Sequence, residues 1–119
     1  MIAANRECFG SATIQFDVVN AITDLPSADL VICKDVLQHL PLADVAALLR
    51  YFRQRCRFAL VTNDIYPAVA TNEDIAPGGW RALRLDQPPF NEVALVVLQY
   101  EVRHGERRWI KTTNLLIGR

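Results

Sequence analysis

The sequence predicts an α/β domain whose sheet is mainly parallel and ends in a C-terminal antiparallel hairpin. Three observations indicate this: short, mostly apolar runs at residues 30–33 and 58–62, an amphipathic stretch between them, and two long segments with strand-like composition on either side of Gly105. Continuous apolar runs are typical of strands buried on both faces of a parallel sheet. The length of 119 residues suits one domain with its own core, which we place over residues 1–119.

The composition excludes several classes of protein. Thirteen basic residues balance thirteen acidic ones, so the chain has no general field that would attract nucleic acid or an anionic membrane. The three cysteines, Cys8, Cys33 and Cys56, have no metal-ligand spacing, and we interpret them as reduced thiols with no metal site. The apolar run at 93–98 is too short to span a bilayer, and the N-terminus has no apolar signal region. We therefore expect a cytoplasmic protein without nucleic-acid or membrane partners.

The first quarter of the chain predicts a short helix, a strand and a loop. Residues 1–9 are compatible with a helix that stops at Gly10. Residues 13–19 are rich in β-branched and aromatic side chains, which favours a strand. Residues 20–27 contain Asn, Thr, Asp, Pro and Ser, which are typical of a loop.

The middle of the chain predicts a βαβ unit. Between the two apolar runs, hydrophobic residues recur at spacings of three and four, at Leu42, Val45, Leu49, Phe52 and Cys56. This spacing indicates an amphipathic helix over about residues 42–55. Strand, helix and strand with short joints form a βαβ unit with parallel strands.

The last half of the chain predicts a long loop and then a hairpin. Residues 63–91 contain four prolines and the pair Gly78-Gly79, and loops of this length in small domains are usually functional or partly disordered. Residues 92–103 and 106–117 flank His104-Gly105, which is a plausible tight turn between two strands.

Residues 29–40 read DLVICKDVLQHL. This segment resembles the fourth-strand motif of the class I S-adenosylmethionine-dependent methyltransferases, D-h-h-x-x-x-x-h-h-x-H-h, where h is apolar. The order of the predicted elements from residue 13 onward agrees with that family, whose Rossmann-like sheet has seven strands and a last hairpin inserted antiparallel beside the fifth. The resemblance implies a truncated Rossmann-like methyltransferase sheet. It also implies S-adenosyl-L-methionine as cofactor and methyl transfer to an unknown small-molecule acceptor.

The same resemblance implies that part of the cofactor site is absent from the chain. The glycine-rich turn after the family's first strand has no counterpart, since no G-x-G occurs, and the acidic residue that ends the second strand is missing too. The truncation would leave apolar sheet edges uncovered. We expect either that strand 13–19 pairs directly with the motif strand or that a homodimer covers the missing strands. A non-catalytic, truncated methyltransferase-like domain is the alternative function.

The resemblance implies six cofactor-binding positions: Asn20, Ala21, Cys33, Lys34, Val36 and Leu37. The first two follow the family's third strand, where the adenine is held. Asn20 stands where Asp is commoner, although an amide oxygen still accepts from the adenine amino group. The backbone carbonyls of Cys33 and Lys34 would hold the ammonium group of the methionine moiety. Val36 and Leu37 would form an apolar wall.

His39 is the candidate catalytic residue, and each candidate site residue has an ordinary structural alternative. A neutral imidazole near the transferred methyl group would act as a general base or contact the substrate, whereas the alternative is a residue that caps or packs against the following helix. Asp35 would approach the substrate, or it would interact with the dipole of that helix.

Four further side chains are candidates for contact with the substrate. Asp64 and Tyr66 follow the predicted fifth strand, where they would either face the substrate or form an ordinary turn. Trp80 and Arg81 offer a flat surface and a fork of donors suited to a carboxylate, phosphate or sugar, or Trp80 only anchors the loop. The remaining arginines of the helix and hairpin are interpreted as solvated, at positions 50, 53, 55, 57, 103, 107 and 108.

Overall fold

Four strands form one mixed sheet, and a single long helix packs on one of its faces. The structure, a computed structural model, describes residues 1–119. The helices are α1 (Ile2–Phe9) and α2 (Leu42–Arg55), and the strands are β1 (Ala28–Lys34), β2 (Cys56–Ile65), β3 (Leu95–His104) and β4 (Arg107–Ile117). Short 3-10 turns lie at Ile22–Asp24 and Leu37–His39. The strands are ordered β1-β2-β4-β3 across the sheet.

The βαβ unit and the hairpin are confirmed. β1 and β2 are parallel neighbours joined by α2, which covers the residues that the periodicity predicts. β4 lies between β2 and β3 and is antiparallel to both. The turn between β3 and β4 contains Gly105 with φ +61°, a conformation that glycine adopts without steric cost.

The prediction of a mainly parallel sheet is wrong. One of the three strand pairs is parallel and two are antiparallel, because the hairpin adds both of its strands on the far side of β2. The fold is therefore a small α/β domain with a four-stranded mixed sheet.

The prediction of a strand at residues 13–19 is also wrong. The segment forms no helix or strand, and α1 holds it: the Arg6 guanidinium donates to the carbonyl of Phe16 and lies 3.3 Å from Asp17. β1 pairs only with β2, so strand 13–19 does not pair with the motif strand. Strand propensity reflects how a side chain fits a half-buried sheet, and here no neighbouring strand provides that surface.

The core lies between α2, the inner face of the sheet and the long segment that follows β2. Eleven buried side chains form it: Leu37, Val45, Leu49, Tyr51, Phe52, Cys56, Ala59, Val61, Leu83, Leu85 and Leu116. Residues 66–94 contain no helix or strand, whereas the loop was predicted at residues 63–91, and they contribute Leu83 and Leu85 to this core. The amide of buried Asn72 donates to the carbonyls of Arg84 and Pro88, at 2.7 and 3.0 Å, which closes the segment on itself.

The other face of the sheet is uncovered. Six large apolar or aromatic side chains that share it expose 42–68% of their surface: Leu30, Ile32, Leu95, Leu98, Tyr100 and Ile117. We refer to these six as the open face. Burial of the motif strand on both faces was therefore a wrong prediction, since Leu30 and Ile32 are 50% and 68% exposed. No helix is long and apolar enough to cross a membrane.

Candidate functional site

The candidate site lies at the edge of the sheet where β1 and β2 both end. Parallel strands place their carboxyl ends at the same edge, and ligands of open α/β sheets bind there. β4 runs in the opposite direction, so its first residues reach the same edge. The three strands thereby bring together Asp35, Asp64 and Lys111, which are far apart in sequence.

Lys111 joins the two carboxylates. Its Nζ lies 2.5 Å from Asp35 Oδ1 and 2.9 Å from Asp64 Oδ1. Lys34 Nζ contacts the other oxygen of Asp35 at 2.7 Å. The side chains of Lys111 and Asp64 are 12% and 10% exposed, whereas that of Lys34 is 60% exposed. Two ammonium groups thus balance two carboxylates in a largely buried cluster.

The cluster shifts the pKa values of Asp35 and Lys111 toward the charged forms. Burial alone would raise the pKa of Asp35, but hydrogen bonds from Lys111 and Lys34 lower it below its usual value. Burial alone would lower the pKa of Lys111, but its hydrogen bonds to Asp35 and Asp64 raise it. Both groups are therefore charged at neutral pH. The partners of the Asp35 carboxylate are thus lysines, and not the dipole of the following helix, which is the structural alternative given by the sequence.

Gln38 connects the motif segment to β2. Its Nε2 donates to Asp64 Oδ2 at 3.1 Å, and its Oε1 accepts from the backbone N–H of Asp64 at 2.6 Å. Trp80 Nε1 donates to the same carboxylate oxygen at 3.3 Å. Asp64 was predicted in a turn after the strand, but it lies within β2 and is buried, because β2 continues to Ile65. Asp64 is thus held by three side chains at once.

Arg81 and His39 attach the long segment to the motif segment. The Arg81 guanidinium is buried, donates to the carbonyl of Gln38 at 3.1 Å and has a pKa lowered by burial. Its Nε and Nη2 have no hydrogen-bond partner, and both atoms are buried. His39 Nδ1 lies 2.8 Å from the carbonyl oxygen of Gly79, and the His39 carbonyl accepts from the N–H of Gly78. These contacts position the loop, and the catalytic role of His39 stays a prediction.

Four of the six proposed cofactor positions lie at this edge. Cys33 and Lys34 end β1, and burial raises the pKa of the Cys33 thiol to about 11, so the sulfur is a neutral thiol at physiological pH. Val36 is half-exposed and is available as an apolar wall. Leu37 is completely buried and packs in the core instead.

Asn20 and Ala21 lie elsewhere. They precede the turn Ile22–Asp24, whose Thr23 carbonyl accepts from the guanidinium of Arg55, the last residue of α2. Since α2 runs antiparallel to the strands, this turn lies near the start of β1. The seven residues of β1 separate it from Lys34 by about 20 Å. The structure does not bring the two halves of the predicted cofactor site together.

A surface cleft of about 480 Å³ adjoins the cluster. It is lined by Asp64, Tyr66, Trp80, Arg107, Arg108 and Trp109. The rings of Tyr66 and Trp80 meet edge to face, with centroids 6.2 Å apart. The cleft thus lies between the long segment, which carries Tyr66 and Trp80, and the start of β4.

The contribution of the hairpin to this site does not follow from the sequence. No sequence pattern marks Lys111 or Trp109, and the arginines at 107 and 108 are predicted only as solvated. The available signal was a lysine between Ile110 and Thr112 within a predicted strand, but its partners depend on a register that the turn alone does not define. No group of three or more His, Cys, Asp or Glu side chains lies together as a metal site would require.

Comparison with protein-family models, with curated proteins and with solved structures finds no match to the chain.

Proposed function

We propose that this chain is part of an S-adenosylmethionine-dependent methyltransferase and forms one wall of the cofactor and acceptor sites. The observation that carries the proposal is the placement of the motif, residues 29–40. It forms an edge strand, a sharp turn at Asp35 with φ +57°, and a 3-10 turn that Gln38 connects to the cleft. The βαβ unit and the antiparallel insertion of β4 beside β2 also agree with what the resemblance leads us to expect.

The chain offers one group of cofactor contacts with suitable chemistry. β1 has a strand partner on one side only, so alternate backbone carbonyls along its outer edge have no sheet partner. Cys33 and Lys34 are consecutive, so the carbonyl of one of them points to this outer edge, where it would accept a hydrogen bond from an ammonium group beside the apolar surface of Val36. The cofactor supplies an already activated methyl group, so the protein has mainly to align the acceptor and exclude water.

The alternative is a non-catalytic, truncated methyltransferase-like domain. The separation of Asn20 and Ala21 from Cys33 and Lys34 favours it, because one small ligand cannot use both ends of β1 unless the chain rearranges. Structural roles for Leu37 and Arg81 point the same way, since both side chains are buried.

Calorimetric titration with S-adenosylmethionine and with its demethylated product tests the proposal. We expect micromolar binding of both compounds to the wild-type chain. Val36→Arg should weaken binding of the cationic cofactor at least tenfold more than binding of the uncharged sulfur product, because a guanidinium would lie beside the sulfonium. Val93→Arg is the matched control, since Val93 is 86% exposed and distant in the chain. No heat at millimolar cofactor would exclude the enzyme function for this chain.

We also propose that a second copy of the chain covers the open face, which is a different surface from the strand edge that the homodimer expected from the sequence would cover. Four strands about 4.8 Å apart and about seven residues long give a flat footprint of roughly 400 Å² before side-chain relief is added. Relief brings this area toward the roughly 800 Å² per partner that a stable dimer buries. Sedimentation velocity should show a dimer for the wild type and a monomer for Leu30→Lys combined with Ile32→Lys. A wild-type monomer at high micromolar concentration would contradict the homodimer.

A further inference from the structure

We propose that the cleft between the long segment and the hairpin binds a small molecule that combines a flat ring with a carboxylate or phosphate group. Three aromatic side chains line the cleft: Tyr66, Trp80 and Trp109. Tyr66 and Trp80 are each almost half exposed, although both are large apolar groups. Aromatic side chains that remain accessible in a concave site offer ring faces and edges on which a flat ligand packs.

The charge of the cleft selects an anion. Asp64 is the acidic residue of the lining, but Lys111 and Trp80 already engage its carboxylate, and Lys34 and Lys111 balance Asp35. The cluster behind the cleft therefore carries no net charge.

The positive charges of the two arginines that line the cleft are hardly neutralised by carboxylates of the protein. Arg107 makes no ion pair. Arg108 approaches Glu101 only at 4.0 Å, and that carboxylate already pairs with Arg103 at 2.5 Å. A guanidinium matches a carboxylate or phosphate through two parallel hydrogen bonds, which a lone aromatic ligand would not use. The aromatic rings and the positive charge of the two arginines together favour a flat, anionic ligand.

The position of the cleft relates this ligand to the proposed reaction. Asp64 lines the cleft and is joined through Gln38 to the motif segment, which carries the proposed cofactor wall. The ligand is the methyl acceptor only if the proposed function holds. Its binding requires neither the cofactor nor methyl transfer.

Intrinsic fluorescence gives a direct measurement, because Trp80 and Trp109 are the only two tryptophans of the chain and both line the cleft. Phenyl phosphate and benzoate are the probes, with benzamide as the uncharged analogue and inorganic phosphate as the ion without a ring. We expect a saturable change with a Kd of about 1 mM for the two aromatic anions, as suits ligands of about ten heavy atoms. Benzamide and inorganic phosphate should bind at least tenfold more weakly.

A pair of charge-matched variants assigns the binding to the cleft. Arg107→Gln combined with Arg108→Gln should weaken phenyl phosphate binding at least tenfold. Arg50→Gln combined with Arg119→Gln removes the same charge from exposed positions outside the cleft and should change the Kd less than twofold. Unchanged far-UV circular dichroism would show that both proteins remain folded.

Several results would overturn the inference: benzamide that binds as tightly as benzoate, inorganic phosphate that binds as tightly as phenyl phosphate, or equal affinities in the two double variants. Absence of any saturable change at 20 mM probe, about twentyfold above the expected Kd, would overturn it as well. If the cofactor fails to bind while the aromatic anions bind, the proposed function is wrong and the cleft remains a ligand site. If the cofactor binds and the probes do not, only this inference is wrong.

Discussion

Replacing Lys111 by methionine is expected to cost about 3–5 kcal/mol of unfolding free energy, which is a large share of the 5–15 kcal/mol typical of a whole domain. The substitution keeps much of the side-chain volume but removes the ammonium group between Asp35 and Asp64. The Asp64 side chain is only 10% exposed, so water cannot replace the ion pair with Lys111 that its carboxylate loses. Urea denaturation followed by circular dichroism at pH 7 measures the difference.

The protein provides its own controls for this prediction. Lys34→Met removes the other lysine of the cluster, whose side chain is 60% exposed, and should cost less than about 1 kcal/mol. Adding Asp64→Asn to Lys111→Met should restore part of the lost stability, because it removes the stranded charge and keeps an oxygen that accepts from Gln38 and Trp80. Equal costs for the two lysine variants would mean that Lys111 does not hold a buried cluster.

Leu83→Ala is expected to cost about 2–5 kcal/mol, although Leu83 lies in a segment without helix or strand. Its side chain is fully buried among the core residues, and its N–H donates to the carbonyl of Asp64 at 2.9 Å. Truncation would leave a cavity between the long segment and the end of β2. The midpoint of urea denaturation reports the loss.

Val93→Ala is the comparison for Leu83→Ala. Val93 belongs to the same segment but is 86% exposed, so its truncation should change stability by less than about 0.5 kcal/mol. If both variants had wild-type midpoints, the long segment would not form part of the core. Near-UV circular dichroism of Trp80 and Trp109 would further show whether Leu83→Ala loosens the loop around the cleft.

Local patterns in the sequence predicted the regular elements well where neighbouring residues decide them. The apolar spacing from Leu42 onward predicts α2 over its observed length, and the two short apolar runs lie within β1 and β2. The turn at Gly105 predicts the hairpin. Each of these depends on side-chain periodicity or on the conformation of one residue, and both are properties of a short stretch of chain.

The same local signals failed where a distant partner was needed. Residues 13–19 have the composition of a strand, but β1 does not pair with them. The apolar run of β1 suggested burial on both faces, whereas the protein covers only one. The composition of a segment indicates how well it would pack against another element. It does not indicate whether the folded protein places such an element beside it.

In the candidate site, too, local features follow from the sequence, whereas contacts between distant residues do not. Residues 29–40 were identified from the sequence, and their position at the end of a strand follows from the strand that they contain. The contact of Lys111 with Asp35 spans 76 positions, and the contact of Gln38 with Asp64 spans 26. Contacts between residues so far apart in sequence depend on strand order and register, which result from the packing of the whole sheet.

Patterns of neighbouring residues thus predict α2, the βαβ unit and the hairpin, and they identify the motif segment 29–40. The folded protein is needed to show which face of the sheet is covered, which charges Lys111 joins, and that Arg107, Arg108 and Trp109 share a cleft with Trp80. The reason is physical: backbone hydrogen bonding and side-chain periodicity act over a few residues, whereas burial and charge pairing depend on elements that meet only after folding.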